Sequence, residues 1–387
     1  MQKIIPLIII VILLPSFFFG VIVGHYQIPP FEVLSNIKQT ITDNPDESNT
    51  KRLQIYQDIS EIDDLIQINN PQDIETKKSL LVDYLWLGDG FPSDIYPKTK
   101  LMNVVDPLFS DIDSLERIDT FTVLMDYEMT SISYLFIPKI SNDELIIFHQ
   151  GHGSSSLRGP ESHSFEQDKD IIRKLLDENY SVLIFSMIGH GMNNEPTIDH
   201  PRFGKIHLNT HDHLRFIESD DLHPLKFFVE PVIITLNQIE NDYTFKKFNM
   251  IGISGGGWTT VIVSSIDDRI TESYSVAGTF PLWLRSDPDN LGDYEQIVPE
   301  FYELATYEEL YLMSSFGEER KLFLIYNEFD PCCMPGWLYD KFPFGTTISS
   351  KLDLLGQGEF DVIIDRGQEK HIISEKTLTR IINQMKS

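Results

Sequence analysis

The segment from Asn249 to Val263 constrains the fold most, because a strand pattern passes directly through a glycine-rich turn into a helix pattern. The strand-like part ends at Ile253, and Ser254-Gly255-Gly256-Gly257 follows. A turn this sharp forces its central residue into a strained backbone conformation, and small residues two positions before and after it relieve the crowding. Gly252 and Gly256 occupy those positions. The segment therefore predicts a strand–turn–helix unit with Ser254 at its apex.

Two chemistries use a turn of this kind. A glycine-rich strand–helix turn also binds phosphate, but the chain has no G-x-x-x-x-G-K-[ST] pattern there, and its glycines do not form a dinucleotide fingerprint. The sequence therefore favours Ser254 as a nucleophile. The amide of Gly255, at the helix N-terminus, is then a candidate donor to an oxyanion.

Short apolar segments and helical segments alternate along the chain from about Thr120 onward. This alternation predicts a mostly parallel sheet with helices on both faces. The strand-like segments are 120–125, 131–137, 145–149, 181–187, 250–254, 273–277, 321–326 and 360–365, and the helical ones are 168–178, 225–240 and 257–266. The long stretches 193–221 and 279–320 exceed ordinary connections and are expected to cap the substrate pocket.

Candidates for an acid and a base follow the serine in the order that this kind of site requires. His371 is the only histidine after His223, and it follows the strand 360–365 through a short loop. Asp330, four residues past the strand 321–326, is the preferred acid. Glu328 and, less strongly, Asp365 remain alternatives.

The strand 145–149 runs into Gln150-Gly151-His152-Gly153, which is expected to supply the second oxyanion amide. Glycines directly after a strand let the backbone turn and direct an amide at the nucleophile. Either His152 or Gly153 is expected to be the donor, and the sequence does not choose between them.

The histidines are concentrated in one region, since nine of the 11 lie between His149 and His223. No H-E-x-x-H pattern is present, and His211-Asp212-His213 supplies no third ligand by spacing. The sequence therefore predicts neither a metal site nor a cofactor. The adjacent Cys332 and Cys333 indicate either a vicinal disulfide or two buried thiols beside the acid loop.

The N-terminal residues 4–23 form an uncharged apolar run behind Lys3, long enough to span a bilayer core as a helix. They favour an uncleaved anchor over a signal peptide, because no Ala-x-Ala cleavage pattern occurs. The flanking charge predicts that the rest of the chain lies outside the cytoplasm, anchored or secreted. The expected division is a membrane segment at 1–25, a linker and helical extension at 26–105 and a catalytic domain at 106–387.

The charge balance excludes one class of partner. The formal net charge of the 387 residues is -28, which repels nucleic-acid phosphates and anionic membrane surfaces. We therefore expect no nucleic-acid partner, and contact with a membrane only through the N-terminal segment.

Over residues 106–387 the chain resembles the α/β-hydrolase superfamily, in the elbow 252–256, the turn 150–153, Asp330 and His371. Within it, the segments 252–260 and 330–333 are similar to uncharacterised hydrolases near the acetyl xylan esterase and dienelactone hydrolase groups. The resemblance implies hydrolysis of a small-molecule or polymer-linked ester through an acyl-enzyme. Gln150 departs from the commoner His-Gly pair. A serine peptidase of the same fold and an inactive binding protein remain alternatives.

Overall fold

A mixed sheet lies at the centre of this computed structural model, which describes residues 62–152, 165–285 and 291–387. The sheet has nine strands in the order β1-β2-β3-β5-β4-β8-β9-β10-β11, and a separate hairpin is formed by β6 and β7. The strands are β1 Thr99–Val104, β2 Leu115–Leu124, β3 Thr130–Pro138, β4 Glu144–His149, β5 Ser181–Phe185, β6 Thr197–His200, β7 Gly204–His207, β8 Lys247–Ile253, β9 Ile270–Val276, β10 Lys321–Asn327 and β11 Glu359–Asp365.

The α-helices of the described residues connect these strands. They are α1 Pro71–Trp86, α2 Phe165–Asp177, α3 Lys226–Asp242, α4 Gly255–Ile266, α5 Pro299–Leu304, α6 Tyr307–Ser315, α7 Gly336–Lys341, α8 Gly345–Leu355 and α9 Glu375–Met385. All eight predicted strands and all three predicted helices are present, with ends that differ by a few residues.

Six strands, from β5 to β11 across the sheet, are mutually parallel, whereas β1, β2 and β3 pair antiparallel at one side. Parallel strands bring their carboxyl ends to the same edge, where sites are usually built. The pairing of β4 with β8 puts His149 opposite Gly252. This register brings the turn after β4 next to the turn after β8.

Each face of the sheet is covered by its own apolar cluster. Along β4, Leu145 and Ile147 belong to one cluster, while Ile146 and Phe148 belong to the other. Strands buried on both faces need apolar residues at every position, which explains why the parallel strands were recognisable as short apolar runs. Every residue of α4 is buried, and α4 packs against α6.

The two long stretches that were expected to cap the pocket have different structures. The first contains the β6–β7 hairpin, which forms a small sheet of its own. The second contains α5 and α6, and α6 is a fully buried helix that packs against α4 and β10. Part of this second stretch is therefore core, and residues 286–290 lie outside the described part of the chain.

No helix of the described residues is long and apolar enough to cross a membrane. The apolar run at 4–23 lies outside those residues, so the anchor, the external location and the boundaries at 25 and 105 stay predictions. Two observations bear on the region before residue 106: α1 begins with a capping box between Asn70 and Asp73, and β1 pairs with β2 in the main sheet.

Candidate active site

Ser254 lies at the apex of the turn between β8 and α4, with φ 56° and ψ −128°. A non-glycine residue in such a region costs about 1–3 kcal/mol, which the surrounding packing must offset. A Cβ atom on Gly252 would lie 2.1 Å from the carbonyl oxygen of Gly256, and one on Gly256 would lie 2.1 Å from that of His149. Only glycine fits at both positions, so the two residues allow the turn to close.

The turn after β4 lies directly against this serine. A Cβ atom on Gly151 would be 2.6 Å from Cβ of Ser254, and one on Gly255 would be 2.7 Å from the imidazole carbon Cε1 of His152. The amide of Gly255 belongs to the first turn of α4, whose N–H groups have no acceptor within the helix. Both predicted sources of oxyanion donors thus adjoin Ser254, although Gly153 lies outside the described residues.

His371 and Asp330 form a hydrogen-bonded pair. Nδ1 of His371 lies 2.8 Å from Oδ2 and 3.0 Å from Oδ1 of Asp330. The Asp330 side chain is fully buried, and it also accepts a hydrogen bond from the amide of Cys332. Burial alone would raise the pKa of Asp330, but its hydrogen bonds and the charge of His371 hold that pKa below its usual value. The carboxylate is therefore ionised and fixes Nδ1–H of His371.

The two alternative acids have other partners. Glu328 pairs with Arg366 and accepts the amide of Gly367. Asp365 accepts hydrogen bonds from Ser374, Lys376 and Thr377 at the start of α9. Neither of them contacts His371 in the described structure, so Asp330 is the acid that the geometry supports.

A small cleft of about 90 Å³ opens beside these residues. Nε2 of His371 has no hydrogen-bond partner among the residues that the structure describes, although it is buried. The imidazole therefore has a nitrogen free to receive a proton. The cleft is lined by residues that include Gln150, Gly151, His152, Asp168, Ser254 and His371.

Gln150, the residue that departs from the family pattern, fixes the turn through its side chain. Its Nε2 donates to Oδ2 of Asp168 at 2.7 Å, and its Oε1 accepts from the hydroxyl of Ser186 at 2.7 Å. Its amide donates to the carbonyl of Phe185, which continues the pairing of β4 with β5. Gln150 thus holds the beginning of the oxyanion turn in place, a role that its sequence position alone did not indicate.

His149, at the end of β4, is buried and gives a prediction for pH dependence. Burial lowers the pKa of His149 to about 4, and the charge of His152 acts in the same direction. Because the unfolded chain binds this proton near pH 6.5, the neutral form stabilises the fold fully above pH 6.5, and that contribution is lost as the pH falls toward 4.

Between pH 7.5 and pH 5, His149 is expected to lower the free energy of unfolding by about 2 kcal/mol. Denaturant unfolding of the wild type, of His149→Asn and of the partly exposed control His213→Asn at both pH values tests this. The wild type and His213→Asn are expected to share the decrease, whereas His149→Asn lacks this part of it. An equal decrease in all three proteins would contradict the assignment.

A cluster of imidazoles and carboxylates lies beside the cleft, and the sequence did not predict it. Nε2 of His152 lies 2.9 Å from Oδ2 of Asp293 and 3.4 Å from Oε1 of Glu295. His211 contacts both His152 and Glu295, and His190 lies at the edge of the cluster. Burial alone would lower the pKa of His152, but the two carboxylates raise it to about 10.

The cluster also shifts the pKa values of Glu295 and His190. The pKa of Glu295 is below its usual range although burial opposes this, because His211 and His152 stabilise the carboxylate. Burial, together with the charges of His211 and His152, lowers the pKa of His190 to about 4. The only sign of this cluster in the sequence was the concentration of histidines between residues 149 and 223. The carboxylates of Asp293 and Glu295 lie well beyond that region of the sequence.

Cys332 and Cys333 are joined by a disulfide bond in the loop after Asp330. Of the two states that the sequence left open, the structure has the vicinal disulfide. Cys332 is exposed and Cys333 is partly buried. The amide of Cys332 is the group that donates to Asp330.

Comparisons with known proteins agree with this architecture. No protein-family model matches the chain, and no curated protein matches it. Among solved structures, one described as a methylesterase aligns with a TM-score of 0.52 and 13% identity, over 87% of this chain and 67% of its own. Acetyl xylan esterase 1 from Thermoanaerobacterium sp. JW/SL YS485 aligns with a TM-score of 0.50 and 14% identity, over 84% and 98%.

At these identities the likeness concerns the fold. The chain has the α/β-hydrolase fold, with a mostly parallel sheet between helices, and the predicted resemblance to this superfamily and to the acetyl xylan esterase group is confirmed at that level.

Proposed function

We propose that the protein is a serine hydrolase that cleaves a carboxylic ester through an acyl-enzyme intermediate. One observation carries the proposal: Ser254, on a strained strand–helix turn, and His371, held by Asp330, line the same cleft. A structural histidine would be expected to use both ring nitrogens in hydrogen bonds, whereas Nε2 of His371 has no partner. This arrangement has the parts of a nucleophile, a base and an orienting acid.

In the proposed first half-reaction, Oγ of Ser254 attacks the ester carbonyl while Nε2 of His371 takes the hydroxyl proton. The amide of Gly255 and an amide of the turn after β4 stabilise the negative charge on the carbonyl oxygen. Asp330 holds the imidazole in the required tautomer and stabilises its cationic form. The tetrahedral intermediate then expels the alcohol, which leaves with the proton from His371.

The second half-reaction uses water in place of the alcohol. His371 removes a proton from water, the resulting hydroxide attacks the acyl group on Ser254, and His371 returns the proton to Oγ as the carboxylic acid leaves. No cofactor takes part in either half. Each step needs only the three side chains and the two amides.

The size of the cleft supports a substrate with a short acyl or alkyl group. A volume of about 90 Å³ is below the roughly 300–1,000 Å³ of typical ligand pockets, so the cleft has room for only a small group. Two solved structures that share the fold are named for a methylesterase and an acetyl xylan esterase, and both names refer to esters of small groups. We therefore expect acetyl or methyl esters to be cleaved faster than long-chain esters, whether the ester is free or linked to a polymer.

Active-site labelling combined with a substrate panel tests the proposal. A fluorophosphonate probe is expected to add one label per chain, on the peptide that contains Ser254, as measured by intact mass and peptide mapping. Aryl acetate is expected to be hydrolysed with a higher kcat/KM than aryl decanoate or a matched aryl amide. Labelling on another residue would contradict the nucleophile.

The other outcomes distinguish the alternatives. Faster cleavage of the amide than of the ester would favour a peptidase. The absence of both labelling and ester turnover in a folded protein would favour an inactive binding protein.

A further inference from the structure

The imidazole–carboxylate cluster beside the cleft brings four potential ligand atoms together from separate segments. They are Nε2 of His152, Nδ1 of His211, a carboxylate oxygen of Asp293 and one of Glu295, and all lie within 4.8 Å of one another. Nε2 of His152 is 2.8 Å from Nδ1 of His211, which in turn is 3.0 Å from Oε2 of Glu295. These four atoms are therefore close enough together to reach a single ion.

The tautomer of His211 is fixed from outside the cluster. Its Nε2 lies 2.9 Å from the backbone carbonyl oxygen of Ile188, so Nε2 carries a proton and donates it. Nδ1 of a neutral His211 therefore directs a lone pair at the other three groups. A hydrogen bond of this kind on the far nitrogen is the usual support for a histidine that binds a metal ion.

Protons alone do not satisfy the cluster while both carboxylates are ionised. If His211 is neutral, its Nδ1 and Oε2 of Glu295 are two acceptors in contact. If His211 is protonated on Nδ1 and His152 on Nε2, two N–H groups face each other across 2.8 Å. If His211 is protonated on Nδ1 but His152 is not protonated on Nε2, then Nε2 of His152 and Oδ2 of Asp293 are two acceptors in contact. A dication at the centre would give every one of these atoms an attractive partner.

Glu295 supplies an independent observation. Its side chain has no exposed surface, and its Oε1 has no hydrogen-bond donor among the described residues, while Nε2 of His152 lies 3.4 Å from it. His211 is also buried, with 5% of its surface exposed. A buried carboxylate oxygen without a donor is costly, because its lost hydration is not replaced.

We propose that His152, His211, Asp293 and Glu295 form a binding site for a divalent transition-metal ion, with Zn²⁺ as the best match. Zn²⁺ takes imidazole nitrogen and carboxylate oxygen in four-coordinate tetrahedral sites with bonds of about 2.0–2.2 Å, which keep neighbouring ligand atoms about 3.3 Å apart. The separations of 2.8 to 3.4 Å require only small shifts to reach this geometry. Four protein ligands leave no open position, so the ion stabilises structure.

An ion at this site would connect two segments of the chain. His152 belongs to the turn that adjoins Ser254, whereas Asp293 and Glu295 belong to the loop before α5. An ion held by all three residues connects the oxyanion turn to that loop across the cleft wall. The proposal does not depend on ester hydrolysis, because its test measures metal content and thermal stability.

Metal analysis of the full chain, purified without a nickel column or a chelator, is the direct test. We expect about one zinc per chain, a lower midpoint of thermal unfolding after chelation, and its recovery when Zn²⁺ alone is added back. Co²⁺ in its place should give the strong visible absorption of a tetrahedral ion. Glu295→Gln and Asp293→Asn are each expected to weaken Zn²⁺ binding by about 100-fold or more, since even supporting residues contribute 10- to 100-fold.

Asp293→Asn protects the test against misfolding, because the Asp293 side chain is half exposed on a loop. His211→Ala and His213→Ala form a matched pair, since His213 lies two residues away and its Nδ1 donates to the backbone carbonyl of His207. Only His211→Ala should lose zinc. An ion-pair network without metal would show no saturable one-to-one binding in the wild type. That result, or equal affinity in the wild type and both carboxylate variants, would overturn the proposal.

Discussion

Replacing Ser254 with alanine is expected to lower kcat for ester hydrolysis by about 10⁶-fold while leaving the fold intact. The variant lacks the nucleophile, so only the oxyanion amides and substrate binding remain to accelerate attack by water. Alanine replaces serine at φ 56° without adding bulk, so the strained turn is preserved. Steady-state kinetics on the best ester, with circular dichroism and thermal unfolding on the same sample, measures both parts of the expectation.

Ser265→Ala is the matched control for this change. Ser265 lies on α4, the helix that Ser254 immediately precedes, is buried, and donates its hydroxyl to the carbonyl of Ile262 within the helix. Loss of this hydroxyl is expected to lower the free energy of unfolding by about 1 kcal/mol and to leave kcat within a few-fold of the wild type. If Ser254→Ala retained more than a small fraction of the activity, or if Ser265→Ala lost as much, Ser254 would not be the nucleophile.

The second large effect is expected at Asp330. Replacing it with asparagine should reduce kcat by about 10⁴-fold, because an amide no longer holds Nδ1–H of His371 and favours the wrong tautomer. The side chain of Asp330 is buried and accepts hydrogen bonds from His371 and from the amide of Cys332. Asparagine retains the shape of this side chain and removes its charge. Kinetics over a range of pH values, with unfolding measurements, separates this effect from loss of structure.

Glu328→Gln is the comparison that decides between the two acids of the same loop. Glu328 pairs with the exposed Arg366, and exposed ion pairs contribute at most about 1 kcal/mol. We therefore expect near wild-type kcat for this variant. A larger loss of kcat in Glu328→Gln than in Asp330→Asn would contradict the assignment of the acid.

Much of the fold was predictable because the inner parallel strands, such as β4 and β5, are buried on both faces and give short apolar runs. The strand β1 gave no such signal, since most of its side chains are exposed and it joins the sheet through backbone pairing with β2. The buried helix α6 was assigned to a cap because it lies within a long connection. Position in the sheet, which sequence pattern does not contain, decides whether such a segment is core.

Part of the candidate site could likewise be predicted from the sequence, and part could not. Ser254 and its glycines are close in sequence, so local sterics were enough to recognise the turn. Asp330 was preferred over Glu328 by distance from its strand, and the structure has only Asp330 in contact with His371. The contact of His211 with Glu295 spans 84 residues and two loops, so no spacing rule gives it. Gly153 and the N-terminal run stay predictions.

The position of β4 in the sheet has a consequence for how the protein folds. Along the chain β4 is followed by β5, yet its other neighbour in the sheet is β8, which arrives only after β5, the β6–β7 hairpin and α3. A ribosome therefore completes the oxyanion turn long before the strand that bears Ser254 exists. Until then one edge of β4 presents unpaired N–H and C=O groups, with apolar side chains on both faces, a state that is prone to aggregate. Folding of this chain should be slow and dominated by long-range pairing, and the nascent chain should need a chaperone during that interval.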